Sequence, residues 1–183
     1  GFLQGVLVSP ASRTSIVLGK LCGGSVLAIL QASLFLFVGP LLTWTGLMPT
    51  MEYEISPGRL FGAVAFLSLL AFALTGLGYA IAWPMASTQG YRAVMSVVLF
   101  PMWLLSGAFF PGSGSGWLSA VIRLNPLTYG VAGMRRLMDA RLDSSVEGLP
   151  SLPVCLSVTG LFCVATVGVS IYLTGRQASR DAR

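Results

Sequence analysis

Four stretches of this chain contain no Asp, Glu, Lys or Arg: residues 21–51, 60–91, 93–122 and 148–175. Each is longer than the roughly 20 residues that a helix needs to cross about 30 Å of hydrocarbon. Buried core helices of a soluble protein would be interrupted by charge after about 10–14 residues. Composition agrees, with 55% hydrophobic and 9% charged residues in a chain of 183, where a soluble domain carries about 25% charge. The mean hydropathy is +0.81. The expected fold class is all-α: a polytopic transmembrane helical protein with four spans and a re-entrant or interfacial helical segment before the last span.

The charge that remains defines topology rather than a ligand site. The net charge of +5 comes from arginines scattered over short loops and the tail, which is the pattern of topology determinants and not of a nucleic-acid surface. No nucleic-acid partner is expected. Under the positive-inside rule, Arg13, Lys20, Arg92, Arg176, Arg180 and Arg183 face the cytoplasm. Arg59, Arg123, Arg135, Arg136 and Arg141 face outward, with Glu52, Glu54, Asp139, Asp143 and Glu147. Both ends then lie on one side, with the C-terminus cytoplasmic. There is no histidine, so no His-based triad or metal site is available. Cys22, Cys155 and Cys163 lack metal or redox spacing and fall within spans, where cysteine behaves as a small hydrophobe. No metal and no cofactor are expected in this chain.

The spans are read as follows. The first runs from about 15 to 42, with Gly39-Pro40 breaking or ending it, and its Gly19 and Gly23 allow close helix approach. The second runs from about 61 to 83 and stops at Pro84, and Ala73, Gly76 and Ala80 mark a contact stripe. The third starts near Arg92, reaches Phe110 and is kinked at Pro101. The fourth runs from about 152 to 173. The chain is one membrane domain: a cytoplasmic segment (1–14), three spans (15–110), an outer re-entrant and amphipathic segment (111–151), the last span (152–174) and a cytoplasmic tail (175–183). Gly1 reads as the middle of a loop, so a further N-terminal portion is expected.

Residues 101–136 do not behave as a plain span leaving the bilayer. The apolar run ends at Ser106-Gly107-Ala108-Phe109-Phe110-Pro111, followed by a glycine-serine tip that cannot hold a helix. Trp117-Leu118 and Val121-Ile122 make a short apolar face. Asn125-Pro126 is a helix start, with Asn as N-cap and Pro at the first helical position. Beyond it Leu127, Val131, Met134 and Met138 share one face, with Tyr129 and Arg136 pointing away, as in an amphipathic helix at the membrane surface. Several roles remain open here. Ser106-Gly107 serves either tight packing or the lining of a path. Phe109 and Phe110 are interface anchors or cargo contacts. Asn125-Pro126 is most simply a cap. Arg135 and Arg136 bind headgroup phosphates, steer an anionic substrate or are merely solvated. Ser9-Pro10 is an ordinary turn or, with Ser12 or Thr14 capping the next helix, a rigid elbow.

Three motifs in order resemble the ABC-2 family, the membrane subunits of ATP-binding-cassette exporters that include drug-resistance and nodulation-type oligosaccharide permeases. They are Gly5-Val6-Leu7-Val8-Ser9-Pro10-Ala11-Ser12-Arg13 with Gly19-Lys20, then Ser106 to Pro111, then Asn125-Pro126-Leu127-Thr128-Tyr129 with Arg135. The resemblance implies that this chain is the last four spans of a six-span permease half. It implies that Gly5, Ser9, Pro10, Ser12 and Arg13 form a coupling segment against an ATPase subunit. Ser106, Gly107, Phe109, Phe110, Pro111, Asn125, Pro126, Tyr129 and Arg135 would form a translocation path or outer gate.

The expected function is therefore that of a permease subunit of an exporter in the bacterial inner membrane, moving a lipophilic drug or a lipid-linked saccharide. Its expected partners are an ABC ATPase subunit, a second permease half, identical or not, and the bilayer. The chain has no Gly-x-x-x-x-Gly-Lys-Ser/Thr loop, so ATP and Mg belong to the partner subunit and the chain is not itself an enzyme. The alternatives are a secondary transporter, against which the lack of mid-membrane charge argues, and a non-transporting membrane assembly protein.

Overall fold

The computed structural model of the chain describes residues 12–46, 56–107, 116–138 and 149–181. Among them it forms six helices: α1 (Arg13–Trp44), α2 (Pro57–Ala82), α3 (Thr88–Leu104), α4 (Gly116–Leu124), α5 (Pro126–Met138) and α6 (Leu152–Asp181). Three of these, over Thr14–Phe35, Pro57–Ala82 and Leu152–Arg176, are long and apolar enough to cross a membrane. The third charge-free run instead yields α3, with 17 residues and a length of about 25 Å.

Side-chain oxygens start the helices. The Ser15 N–H donates to Ser12 Oγ at 3.2 Å at the head of α1. Ser56 accepts from the Arg59 N–H with Pro57 beside it at the head of α2, and Ser87 accepts from the Gly90 N–H at the head of α3. Each cap satisfies one of the donors that a first turn leaves open.

Several boundaries differ from the sequence reading. Gly39-Pro40 does not end α1, which continues to Trp44. A proline fits helical φ and removes one intrahelical bond, a loss that α1 accommodates. The end comes at Thr45-Gly46, where the Thr45 N–H reaches Leu41 O at 3.1 Å and Gly46 adopts φ +74°, a conformation glycine takes at no steric cost. Helix α3 begins at Thr88 rather than Arg92, because Ser87 supplies its cap. It ends at Leu104 rather than Phe110, so Pro101 lies in the last turn and not mid-helix. Helix α6 runs on through the expected tail to Asp181.

Helices α1 and α2 are antiparallel, and α2 and α6 are parallel. A Cβ placed on Gly24 would lie 2.8 Å from Thr75 Cγ2, and one on Gly76 would lie 2.9 Å from Thr166 Oγ1. Ser170 Oγ donates to Gly76 O at 3.1 Å across the α2–α6 seam. Ala73 and Gly76 of the expected stripe are buried, and Ala80 is half-buried. Without a hydrophobic difference between lipid and partner helix, small residues that admit close backbones hold such a bundle together. Large side chains such as Leu30, Leu34 and Phe35 of α1 are exposed, as a lipid-facing surface requires.

Helix α5 departs most from expectation. It lies lengthwise and antiparallel along α2. Gly62 approaches Leu137, Gly133 approaches Phe66 and Cys155, and Gly130 approaches Leu70. Its buried residues are Gly130, Ala132 and Gly133, whereas Leu127, Val131, Met134 and Met138 are half-buried. Phe66, Ala132 and Cys155 form a buried cluster, with Tyr129, Met134, Leu137 and Leu149 packed around it. Tyr129 is therefore half-buried against this cluster rather than turned away from it. Arg136 also turns inward along the chain, donating from Nε to Pro150 O at 2.6 Å and from Nη2 to Leu149 O at 2.9 Å.

Candidate functional site

Ser106, Gly107, Asn125, Pro126 and Tyr129 meet at one joint, where the end of α3, the end of α4 and the start of α5 come together. A helix end leaves its last carbonyls without intrahelical donors, and at this joint they are met partly by the residues that follow and partly by α5 and its cap. Pro101 O accepts from the Leu105 N–H at 2.9 Å. Met102 O accepts from Asn125 Nδ2 at 2.6 Å. Trp103 O accepts from Ser106 Oγ at 2.6 Å and from the Ser106 N–H at 3.2 Å. The chain then turns at Gly107, with φ +78°.

The first turn of α5 does the same for α4. Thr128 Oγ1 donates to Ile122 O at 2.7 Å, with Leu105 O farther off at 3.4 Å. Tyr129 OH donates to Arg123 O at 2.9 Å. Asn125 acts in two directions. Its Oδ1 accepts from the Leu127 N–H at 3.0 Å as the N-cap of α5, and its Nδ2 holds the end of α3. Pro126 needs no partner, since the first position has no intrahelical acceptor for an N–H. The run Asn125-Pro126-Leu127-Thr128-Tyr129 is thus a device for closing two helix ends with one helix start.

Burial makes these bonds matter. Ser106 is 1% exposed and Asn125 is 8% exposed, and a buried polar group without a partner costs about 1–3 kcal/mol. Ser106 is packed, with its hydroxyl turned back on its own helix. Thr128 was not among the site residues expected from sequence, although it carries one of the joint's bonds. The signal for it was a hydroxyl residue three positions after an Asn cap. Beside the joint, Met95, Leu99, Phe100 and Trp103 of α3 border an open apolar groove of about 740 Å³.

The other expected site residues lie elsewhere. Arg135 is exposed on α5. Ser12 caps α1 and Arg13 is its first residue, away from the joint along the chain. Gly5, Ser9, Pro10, Phe109, Phe110 and Pro111 lie outside the described residues. Among the described residues, no group of three or more His, Cys, Asp or Glu side chains is placed to hold a metal ion. The joint offers polar contacts that hold a shape, not a nucleophile or an acid–base pair.

Compared with known protein families, residues 1–138 match the ABC-2 type transporter family. No curated protein and no solved structure matches the chain.

Proposed function

The chain belongs to the ABC-2 type transporter family, and from that premise we propose that it moves a lipophilic drug or a lipid-linked saccharide outward, driven by a separate ATPase subunit. The family's members are multi-pass membrane subunits without an ATPase domain of their own, and membership implies an ATPase partner. The family match is the observation that carries this reading. The apolar, charge-free helices favour a lipophilic cargo over an ion, because an ion pathway would need intramembrane charge.

In this reading the protein sits in the bacterial inner membrane with its C-terminus cytoplasmic. Helix α3 is a fourth crossing, and α4 and α5 form a re-entrant hairpin. The register of α5 along α2 supports the hairpin, because Leu70, which faces Gly130, lies near the middle of α2. Irregular backbone at such depth survives only when protein satisfies it, which is what Asn125, Thr128 and Tyr129 do. The joint then serves as the outer gate, with Ser106, Gly107, Asn125, Pro126 and Tyr129 holding it closed, and Phe109, Phe110, Pro111 and Arg135 belong to the same translocation path. The coupling segment is Gly5, Ser9, Pro10, Ser12 and Arg13, with Ser12 fixing where α1 starts. A second permease half completes the path.

Deletion of the gene tests the reading. Expected is either raised sensitivity to lipophilic drugs or lipid-linked saccharide held on the inner leaflet, restored by the wild-type gene. Normal drug tolerance together with normal saccharide export would overturn the exporter reading.

A further inference from the structure

One side chain ties three helices together near the start of α1. Lys20, exposed on α1, places Nζ 6.0 Å from the centroid of the Tyr79 ring of α2. Tyr79 OH and Thr174 Oγ1 of α6 share a hydrogen bond of 3.1 Å. Trp83, one turn on, stacks on Tyr79 with centroids 5.3 Å apart and planes 24° apart. About one turn deeper the same helices pack glycine against threonine, Gly24 against Thr75 and Gly76 against Thr166.

This arrangement has the form of a lever. Gly24 has no side chain and lets α1 close on Thr75 of α2, and this contact serves as the fulcrum. The arm from Ser12 to Gly24 is about 18 Å long. Val17 and Leu21 on that arm are fully buried and resist its separation from the bundle. Apolar contact is non-directional, however, and does not by itself fix how far the arm slides along its neighbours. The cation over the ring and the hydroxyl bond are directional, and both converge on Tyr79.

We propose that Tyr79 is a positioning residue that locks the register of the α1 arm to α2 and α6, so that a push on the segment before Ser12 moves the three helices as one body. This rests on the exporter reading, in which that segment contacts an ATPase. The test uses the complex with its ATPase, Cys163→Ala, and spin labels on Cys22, which is exposed on α1, and on Tyr172→Cys, at an exposed position of α6. Expected is one α1–α6 distance with and without ATP in the otherwise wild-type protein. With Tyr79→Leu, ATP shifts that distance by at least ~1.5 Å, one residue's rise. Lys20→Met, an exposed change that leaves the fold intact, gives a shift in the same sense, and Lys20→Arg restores the wild-type result. The proposal is overturned if both variants keep the wild-type distance while ATP still moves Cys22 relative to a label on the ATPase. If ATP moves Cys22 against neither reference in any sample, the exporter reading itself fails and takes this proposal with it.

Discussion

Replacing Asn125 by Ala removes both of its bonds at once and isolates what the joint contributes. The N-cap bond to the Leu127 N–H, at 3.0 Å, is worth about 1 kcal/mol by comparison with other caps. The bond to Met102 O, at 2.6 Å, joins two helices, and such bonds in membrane proteins contribute about 0.6–1.7 kcal/mol. The total loss is about 1.6–2.7 kcal/mol, because the 8% exposure of Asn125 admits little water to replace either bond. At 1.4 kcal/mol per decade this opens the docked hairpin about 14- to 85-fold more often. Hydrogen exchange followed by mass spectrometry reads the change directly. Amides of the first turn of α5, residues 127–130, should exchange faster by that factor, while those of α2 facing α6 stay as protected as before. Asn125→Ser separates the two bonds. It keeps an N-cap hydroxyl but is too short to reach Met102 O, so it should fall between wild type and Asn125→Ala. An Asn125→Ala protein whose first-turn amides exchange within threefold of wild type would refute the assignment of the joint.

The remaining predictions concern packing and a loop anchor. A Cβ on Gly133 would lie 2.5 Å from Phe66 Cζ and 3.2 Å from Cys155 Cβ, so Gly133→Ala should cost about 1–3 kcal/mol through overpacking, seen as a lowered unfolding midpoint in detergent. Phe66→Leu should recover part of that loss. Ser170→Ala removes the bond to Gly76 O and should lower stability by about 0.6–1.7 kcal/mol without moving the gate amides. Arg136→Ala frees the carbonyls of Leu149 and Pro150 and should raise proteolysis between α5 and α6 while leaving the α1–α2 seam unchanged.

Much of this architecture is legible from charge-free run lengths and capping chemistry. Asn125-Pro126 reads as a helix start from residue type alone, because few residues suit an N-cap and proline suits the position after it. The α2 contact stripe reads from Ala73 and Gly76, whereas α3 ends at Leu104, short of the Phe110 that its apolar run suggests. The placement of α5 did not read, for a physical reason. Apolar periodicity assigns the docking face to Leu127, Val131, Met134 and Met138, as it would for a helix seeking to leave water. In a lipid-surrounded bundle the closest approach belongs to the smallest residues, so Gly130 and Gly133 set the contact and Tyr129 is half-buried beside them. Pro40 misleads in a similar way, since a single lost hydrogen bond does not stop a long helix. The second role of Asn125, toward Met102 O, depends on a contact across 23 residues of sequence that no local pattern encodes.

The central claim is that this chain works with a separate ATPase that engages the segment before α1. Its most direct test is to purify the tagged protein from its native membrane and measure ATP hydrolysis in the eluate. Expected is a co-purifying P-loop ATPase whose activity in the eluate is lost when Ser9 and Pro10 are replaced by a pair of alanines. A pure, folded membrane protein that brings no ATPase with it and hydrolyses no ATP would contradict the account.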